Sequence, residues 1–138
     1  FMDFCTAADA IVFVCAWMRG GEIVVDSGGV RIAKAGTPKF VDRVSETTFD
    51  AASALEAGKR VYYATHVGVF RLTAQGLALA LAVPGVDVAR DVRGFATASL
   101  RIPEGRRVRR APPALLAGEG RGLRRALRSL RLEGEGGA

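Results

Sequence analysis

The 138-residue chain is long enough for one globular domain, which would bury roughly two thirds of its unfolded surface. Apolar residues make up 49% of it, a share that fits an ordinary hydrophobic core. The longest apolar run covers residues 10–18, whereas a membrane-spanning helix needs about 20 residues. Asp3 and Asp9 stand where a secretory leader would be basic. The sequence therefore predicts neither a membrane span nor a signal peptide, and we expect a cytoplasmic protein.

The net charge of +6 is confined to one end of the chain. Residues 1–100 contain ten Lys or Arg and ten Asp or Glu, whereas residues 101–138 contain ten Arg and four Glu. The whole positive excess belongs to the tail, so it indicates nothing about the partners of the preceding hundred residues.

The first predicted element is a continuous run of β-branched and aromatic residues at 11–17, followed by Arg-Gly-Gly at 19–21. Such a run is typical of a strand buried on both faces, as in parallel sheets covered by helices. Two short extended segments follow at 22–26 and 30–34, and they predict a β-hairpin around the Gly-rich turn at 27–29. The paired glycines match no phosphate-binding motif and are interpreted as turns.

The middle of the chain predicts more strands than helices. Residues 39–49 are rich in β-branched side chains and favour an extended segment, whereas residues 51–58 favour a short helical turn or a loop. Residues 87–93 begin acidic, end basic and precede Gly94, as a short helix prefers. The Leu/Ala segment at 77–83 is short and is flanked by Gly and Pro, which favours a strand over a helix. Strands are predicted at 61–65, 69–73 and 77–83.

The composition changes after residue 102. We therefore predict a domain at 1–102 and an Arg/Pro/Gly-rich tail at 103–138. Within the tail, residues 121–132 predict a short amphipathic basic helix, and the Gly-rich end is predicted to be disordered. The apolar face of that helix would carry Leu123, Ala126, Leu127 and Leu130.

Three stretches of the first 102 residues occur in an informative order. The first is Ala-Asp-Ala-Ile-Val-Phe-Val-Cys-Ala-Trp-Met-Arg-Gly-Gly at 8–21, and the second is Pro-Lys-Phe-Val-Asp-Arg-Val-Ser-Glu-Thr-Thr-Phe at 38–49. The third combines Val-Tyr-Tyr-Ala-Thr at 61–65, Gly-Val-Phe-Arg-Leu-Thr at 68–73, Gly-Leu at 76–77 and Pro-Gly-Val-Asp-Val-Ala-Arg-Asp-Val at 84–92. Together they resemble the carboxy-terminal part of the β half, which bears the catalytic glutamate, in family I coenzyme A transferases of the acetate, propionate and 3-oxoacid type.

The resemblance implies a fold and an activity. The fold is α/β: the carboxy-terminal portion of an open mixed-sheet CoA-transferase domain, strand-rich, with a basic and partly disordered tail. The activity moves coenzyme A between a short-chain acyl-CoA and a carboxylic acid through a glutamyl-CoA thioester, as in short-chain fatty acid and ketone body metabolism. Backbone amides of a Gly-rich loop stabilise the oxyanion.

The same resemblance implies the partners. These are the acyl-CoA and carboxylate substrates and a facing α half or subunit, within a homo-oligomer. Coenzyme A is expected as a substrate, with no bound cofactor and no metal.

The resemblance assigns no catalytic residue in this chain. The Glu-Asn-Gly motif of the family does not occur, so the nucleophilic Glu is expected to precede Phe1 in a longer protein. Lys39 is the one candidate binding residue, because the family commonly has a basic residue there, and it could pair with a phosphate of coenzyme A. The alternative for Lys39 is a solvated surface charge. At 65–67 the chain has Thr-His-Val where relatives usually carry Thr-Glu-Arg.

Other functions stay open on the sequence alone. The tail could belong to a non-catalytic domain that binds nucleic acid or an anionic surface. Nucleic acid is the less favoured partner because no aromatic residue after Phe95 offers a stacking platform for bases. His66 could titrate near neutral pH, but a half-buried structural histidine is the simpler interpretation. Cys5 and Cys15 are expected as small buried side chains, since they have neither metal-ligand spacing nor a disulfide pattern.

Overall fold

The computed structural model describes residues 2–41, 50–104 and 108–116. The predicted helix at 121–132 and most of the predicted extended segment at 39–49 lie outside the described residues. The elements in chain order are α1 (Met2–Ala7), β1 (Ala10–Val14), β2 (Met18–Arg19), β3 (Glu22–Asp26), β4 (Gly29–Lys34), β5 (Thr37–Pro38), α2 (Ala51–Glu56), β6 (Arg60–Ala64), β7 (Gly68–Thr73), β8 (Gly76–Ala82), a π-helix (Val88–Arg93), β9 (Leu100–Arg101) and a 3₁₀ helix (Pro113–Leu115).

Five of these strands form one open, mixed sheet in the order β1-β6-β7-β8-β9. β1 runs parallel to β6 and β9 parallel to β8, whereas β6, β7 and β8 form an antiparallel meander. The predicted strand-rich α/β class with an open mixed sheet is confirmed. The register aligns Phe13, Tyr63 and Phe70 across neighbouring strands, so one face of the sheet carries a row of aromatic rings.

The two turns of the meander share one sequence device. Each begins at a Thr whose hydroxyl donates a hydrogen bond to the carbonyl of a Gly three residues later. Thr65 Oγ1 bonds Gly68 O at 2.8 Å, and Thr73 Oγ1 bonds Gly76 O at 2.7 Å. Such local side-chain bonds favour turns over continued strand. Short turns of this kind hold the register that the strand pattern predicts.

β1 departs from its prediction. The strand is shorter than the predicted 11–17, and among the described residues it has a neighbour on one side only. Val12 is 59% exposed and Val14 is 86% exposed, so the predicted burial on both faces is wrong for the part of the chain described here. An apolar edge strand can be covered only by elements that these residues do not supply. The parallel pairing implied by the prediction is confirmed.

The β3–β4 hairpin forms as predicted and packs against the loop that follows β8. Val30 is buried, and its N–H donates a hydrogen bond of 2.7 Å to Pro84 O. Gly28 lies in the turn at the tip of the hairpin as predicted, whereas Gly29 begins β4 with φ 125° and Gly21, just before β3, has φ 81°. The short β2–β5 ribbon ends at Pro38 and delivers the next residue, Lys39, to the end of β1.

Trp17 is the centre of the core. It is 1% exposed and stacks on Phe70, with ring centroids 5.2 Å apart and an interplanar angle of 4°. Phe40 and Phe95 pack against it at tilted angles. Its indole N–H donates a hydrogen bond of 2.9 Å to Asp91 O, which joins the ring to the π-helix.

The π-helix occupies the place of the short helix predicted at 87–93. The Gly94 amide reaches back five residues to Ala89 O, at 2.9 Å, which distinguishes it from an α-turn. Asp87 caps the amino end by accepting a hydrogen bond from the Arg90 amide, and that bond lowers the pKa of Asp87. The buried Asp91 carboxylate accepts hydrogen bonds from the Asp87 amide and the Arg90 guanidinium. These contacts fix the carbonyl that holds the Trp17 indole.

Residues 108–116 also contact the sheet. The Ala82 amide donates to Arg109 O and the Ala111 amide donates to Ala82 O, both at 2.8 Å. Ala111 is buried, and Leu116 packs against the core cluster. The predicted division at residue 102 stays a prediction.

Of the two alternatives for residues 51–58, the structure contains the helix, α2, capped by the Asp50 carboxylate. Lys59 follows it, and its ammonium donates hydrogen bonds to Thr6 O and Ala8 O at the end of α1. A cation at these carbonyls satisfies the last turn of the helix. Within the described residues, no helix is both long and apolar enough to cross a membrane.

Candidate functional site

A cavity of about 360 Å³ lies beside the end of β1. Four separate parts of the chain meet there: the residues after β1, the residues after β5, the meander, and the segment before β9. The lining residues are Cys15, Ala16, Lys39, Phe40, Val41, Tyr63, Leu77 and Ala98.

Backbone hydrogen bonds and ring contacts fix the walls. The Lys39 amide donates to Trp17 O at 3.4 Å, and the Ala98 amide donates to Phe40 O at 3.2 Å. The Phe40 ring meets the Tyr63 ring edge-on, with centroids 6.0 Å apart, and it also packs against Trp17. Aromatic rings in such arrangements have little rotational freedom once buried. The cavity therefore has an apolar wall of packed aromatic rings, while Lys39 beside it is exposed.

Burial controls the ionisation of the polar lining residues. Burial raises the pKa of the Cys15 thiol, and the positive charge of Lys39 opposes that rise. Burial also raises the pKa of the Tyr63 phenol, and the neighbouring Cys15 adds to the effect. Both groups are therefore protonated at neutral pH, and Lys39 supplies the positive charge. A thiol whose pKa is raised is a poor nucleophile, so the arrangement favours binding over covalent chemistry at Cys15.

The chemistry available at this cavity is recognition of an anion attached to an apolar group. The ammonium at the rim attracts a negative group, and the aromatic and aliphatic walls accept an uncharged portion. Across residues 2–41, 50–104 and 108–116, no three His, Cys, Asp or Glu side chains lie close enough together to hold a metal ion.

Comparison of sequences points to one class of enzyme, although no protein-family model matches the chain. The chain is 34% identical over 95 residues to acetate CoA-transferase YdiF of Escherichia coli K12. The aligned region covers 67% of this chain and 18% of that protein. It is 26% identical over 93 residues to caffeate CoA-transferase of Acetobacterium woodii, with the same two coverages.

Solved structures agree with the sequence matches. The acyl-CoA transferase YdiF apoenzyme of E. coli O157:H7 superposes with a TM-score of 0.79 and 27% identity, over 88% of this chain and 24% of that chain. The thioester complex of the same enzyme with CoA superposes with a TM-score of 0.75 and 28% identity, over 84% of this chain and 23% of that chain.

The chain belongs to the family I coenzyme A transferases. It spans 18% of the length of the curated CoA-transferases that it matches. The resemblance seen in the three ordered stretches of sequence is thus confirmed at the level of the family.

His66 lies in the turn between β6 and β7 of this CoA-transferase segment. Its ring is exposed rather than half-buried, which corrects the sequence-based interpretation. The ring Nδ1 accepts a hydrogen bond of 3.3 Å from the Trp17 amide, so the neutral ring carries its proton on Nε2. This bond joins the turn after β6 to the backbone of Trp17, whose carbonyl accepts the hydrogen bond from the Lys39 amide.

Of the residues that line the cavity, the sequence singled out Lys39 as a binding residue. Tyr63 and Leu77 belong to strands that were predicted, but nothing in the strand pattern indicates that their side chains share a cavity. Cys15 was interpreted as a small buried side chain, and it is only partly buried, whereas Cys5 is buried. The one local signal is that Lys39 and Phe40 directly follow Pro38, the residue at which β5 ends. The assignment of Lys39 to coenzyme A stays a prediction.

Proposed function

We propose that this chain forms part of the glutamate-bearing half of an acyl-CoA:carboxylate CoA-transferase. The observation that carries the proposal is the joint match to CoA-transferases in sequence and in fold. The substrates are a short-chain acyl-CoA and a carboxylic acid. Coenzyme A is carried between them and does not stay bound as a cofactor.

The reaction runs through a Glu carboxylate that we assign to a part of the protein outside these 138 residues. The carboxylate attacks the thioester carbonyl and expels the CoA thiolate, which leaves a mixed anhydride. The thiolate then attacks the glutamyl carbonyl, releasing the first carboxylic acid and leaving a glutamyl-CoA thioester. The acceptor carboxylate repeats these two steps in reverse order and regenerates the Glu. Each step exchanges one activated acyl group for another, so a carboxylate nucleophile suits the chemistry.

The described residues contribute a binding wall and a covering surface to this reaction. Lys39 offers its ammonium to an anionic group of coenzyme A, and the wall formed by Phe40 and Tyr63 lies next to it. The exposed face of β1, with Val12 and Val14, is the surface that we assign to contact with the remainder of the protein. Removing that apolar surface from water would favour the association.

The first test is activity. Residues 1–138 alone are expected to show no exchange of CoA between acetyl-CoA and a labelled carboxylate, because the nucleophile lies elsewhere. The protein encoded by the longer reading frame is expected to catalyse the exchange and to contain a Glu-Asn-Gly motif before residue 1. Exchange catalysed by residues 1–138 alone, or a longer frame without that motif, contradicts the proposal.

The second test concerns Lys39 in the longer protein. Lys39→Gln is expected to raise KM for the acyl-CoA about threefold to tenfold, with kcat unchanged, because one partly solvated charge contact is lost. Steady-state kinetics with acetyl-CoA measures both constants. Lys34→Gln is the matched control, since Lys34 is also exposed but lies on β4 and does not line the cavity. Identical kinetics for the two variants would remove Lys39 from the site.

A further inference from the structure

A pocket of about 420 Å³ lies beside the π-helix. Residues 87–89 and 93 form one wall, and residues 102, 103, 108 and 110 form the other. None of them lines the cavity beside Lys39, so this pocket is a separate feature. Its volume lies in the range of small-molecule sites, roughly 300–1,000 Å³, and it is larger than a bare inorganic anion needs.

Two arginines from distant parts of the sequence meet at this pocket. Arg93 is the last residue of the π-helix, and Arg110 lies in the segment that bridges to the end of β8. Both residues are exposed, and in the described part of the chain neither forms an ion pair with an acidic side chain. A guanidinium is always charged, so this pair brings two positive charges to one pocket.

Hydrogen bonds hold Arg110 in place. The Ala82 amide donates to Arg109 O and the Ala111 amide donates to Ala82 O, both at 2.8 Å, so the backbone is fixed on either side of Arg110. The Arg110 guanidinium donates a hydrogen bond of 3.0 Å to Val86 O. That bond uses one of the five N–H groups of a guanidinium, so others can bind a ligand. Arg favours carboxylates because two of its N–H groups can pair with the two oxygens.

Asp87 sets the net charge of the pocket. Its carboxylate accepts the hydrogen bond from the Arg90 amide, which lowers the pKa of Asp87, and the charge of Arg110 lowers that pKa further. Asp87 is therefore ionised at neutral pH. The Arg90 guanidinium is paired with the buried Asp91 and does not line the pocket. Two guanidinium groups and one carboxylate leave a single positive charge in excess, which one monoanion would neutralise.

The remaining lining residues indicate what the anion is attached to. All of them are aliphatic: Val88, Ala89, Ile102, Pro103 and Val108. None of the residues that line this pocket is aromatic, so none can stack on a nucleotide base. A hydrocarbon chain that ends in one carboxylate matches both the aliphatic walls and the excess charge.

We propose that this pocket binds an aliphatic monocarboxylate. Its carboxylate pairs with Arg93 and Arg110, and its hydrocarbon chain lies against Ile102 and Val108. This is a second ligand site, separate from the cavity beside Lys39, and it does not depend on the proposed transferase reaction. The two arginines supply the attraction for the charge, and the aliphatic walls select for the length of the chain.

Equilibrium dialysis of the full 138-residue chain against radiolabelled octanoate tests the proposal. Arg93→Gln is expected to weaken the affinity about threefold to tenfold, because one partly solvated charge contact is lost. Arg110→Gln is expected to weaken it by at least as much. Arg101→Gln is the matched control, because Arg101 is exposed and directly precedes Ile102 but does not line the pocket. It is expected to bind octanoate as the wild type does.

A series of competitors separates the charge from the chain. Acetate carries the same charge on a very short chain, octan-1-ol carries the chain without the charge, and inorganic phosphate is a bare anion. Each is expected to displace labelled octanoate at least tenfold more weakly than unlabelled octanoate does, since each lacks one of the two contacts. Lys39→Gln is expected to keep the octanoate affinity of the wild type, because Lys39 belongs to the other cavity.

Four results overturn the proposal. The first is an unchanged affinity in Arg93→Gln, and this variant decides the matter if circular dichroism shows that Arg110→Gln impairs folding. The second is an equal loss in Arg101→Gln, since the overall positive charge then attracts octanoate. The third is acetate or phosphate that competes as well as octanoate, which makes the pocket a site for bare anions. The fourth is a loss of binding in Lys39→Gln, which places octanoate in the other cavity.

Discussion

Replacing Trp17 by Ala is expected to lower the free energy of unfolding by about 3–5 kcal/mol. The side chain is 1% exposed, and its ring packs against Phe40, Phe70 and Phe95. Truncation leaves a cavity among these rings, which backbone hydrogen bonds hold in place, so the walls can relax only in part. Urea unfolding followed by far-ultraviolet circular dichroism measures the change, since Trp17 is the sole tryptophan and its fluorescence is lost in the variant.

Trp17→Phe separates the hydrogen bond from the packing. Phe keeps a ring on Phe70 but cannot donate to Asp91 O, so we expect a loss of about 1–3 kcal/mol from the unpaired carbonyl. A Trp17→Ala chain as stable as the wild type would show that the aromatic cluster does not form the core. Equal losses for Ala and Phe would instead assign the whole effect to the hydrogen bond.

The meander and the hairpin could be predicted because their signals are local. Each strand carries its own β-branched or aromatic residues, and each turn is specified by residues within it, such as Thr65 with Gly68. The β3–β4 hairpin, the β6–β8 meander and the short helix that begins at Val88 therefore follow from the sequence, whereas β5 was not predicted. The π-type hydrogen bonds do not, because an Asp cap and a final Gly are equally typical of short α-helices.

Burial of β1 could not be predicted, because it depends on which elements cover the strand. The apolar run at 11–17 is the same whether a neighbouring strand is present or not. In the described residues, β1 pairs with β6 alone, and Val14 is 86% exposed. A pattern of apolar residues reports the environment of the whole folded protein, and the chain spans 18% of its curated relatives.

The residues of the candidate site were also only partly predictable from the sequence. Lys39 could be selected because the family resemblance points to that position by itself. Leu77 and Ala98 line the cavity only because the folded chain brings them there, which the sequence does not indicate. A shift of register near Val69 and Phe70 also separates β8 from a simple alternating pattern. A composition that suggests a linker after residue 102 likewise gives no signal that the Ala111 amide bonds to β8.

Gly29→Ala is expected to cost about 2–5 kcal/mol of unfolding free energy, the sum of backbone strain and steric overlap. Gly29 has φ 125°, a conformation that side chains with a Cβ rarely adopt. An added Cβ would overlap the carbonyl group of Pro84 and lie 2.6 Å from Gly85 N, all of which is backbone that cannot rotate away. The hairpin would have to move off the loop after β8, breaking the hydrogen bond from Val30 to Pro84.

Gly28→Ala, one residue earlier in the same turn, tests whether this close approach is the cause. Its φ is not in the left-handed region, and an added Cβ meets only the Asp26 carboxylate, at 3.1 Å, which can rotate. We expect its unfolding free energy to stay within about 1 kcal/mol of the wild type in the same urea titration. If the two alanine variants were equally stable, the hairpin could not pack against the backbone of Pro84. The burial of Val30, which depends on that contact, would then have to arise from a different packing of the hairpin on the sheet.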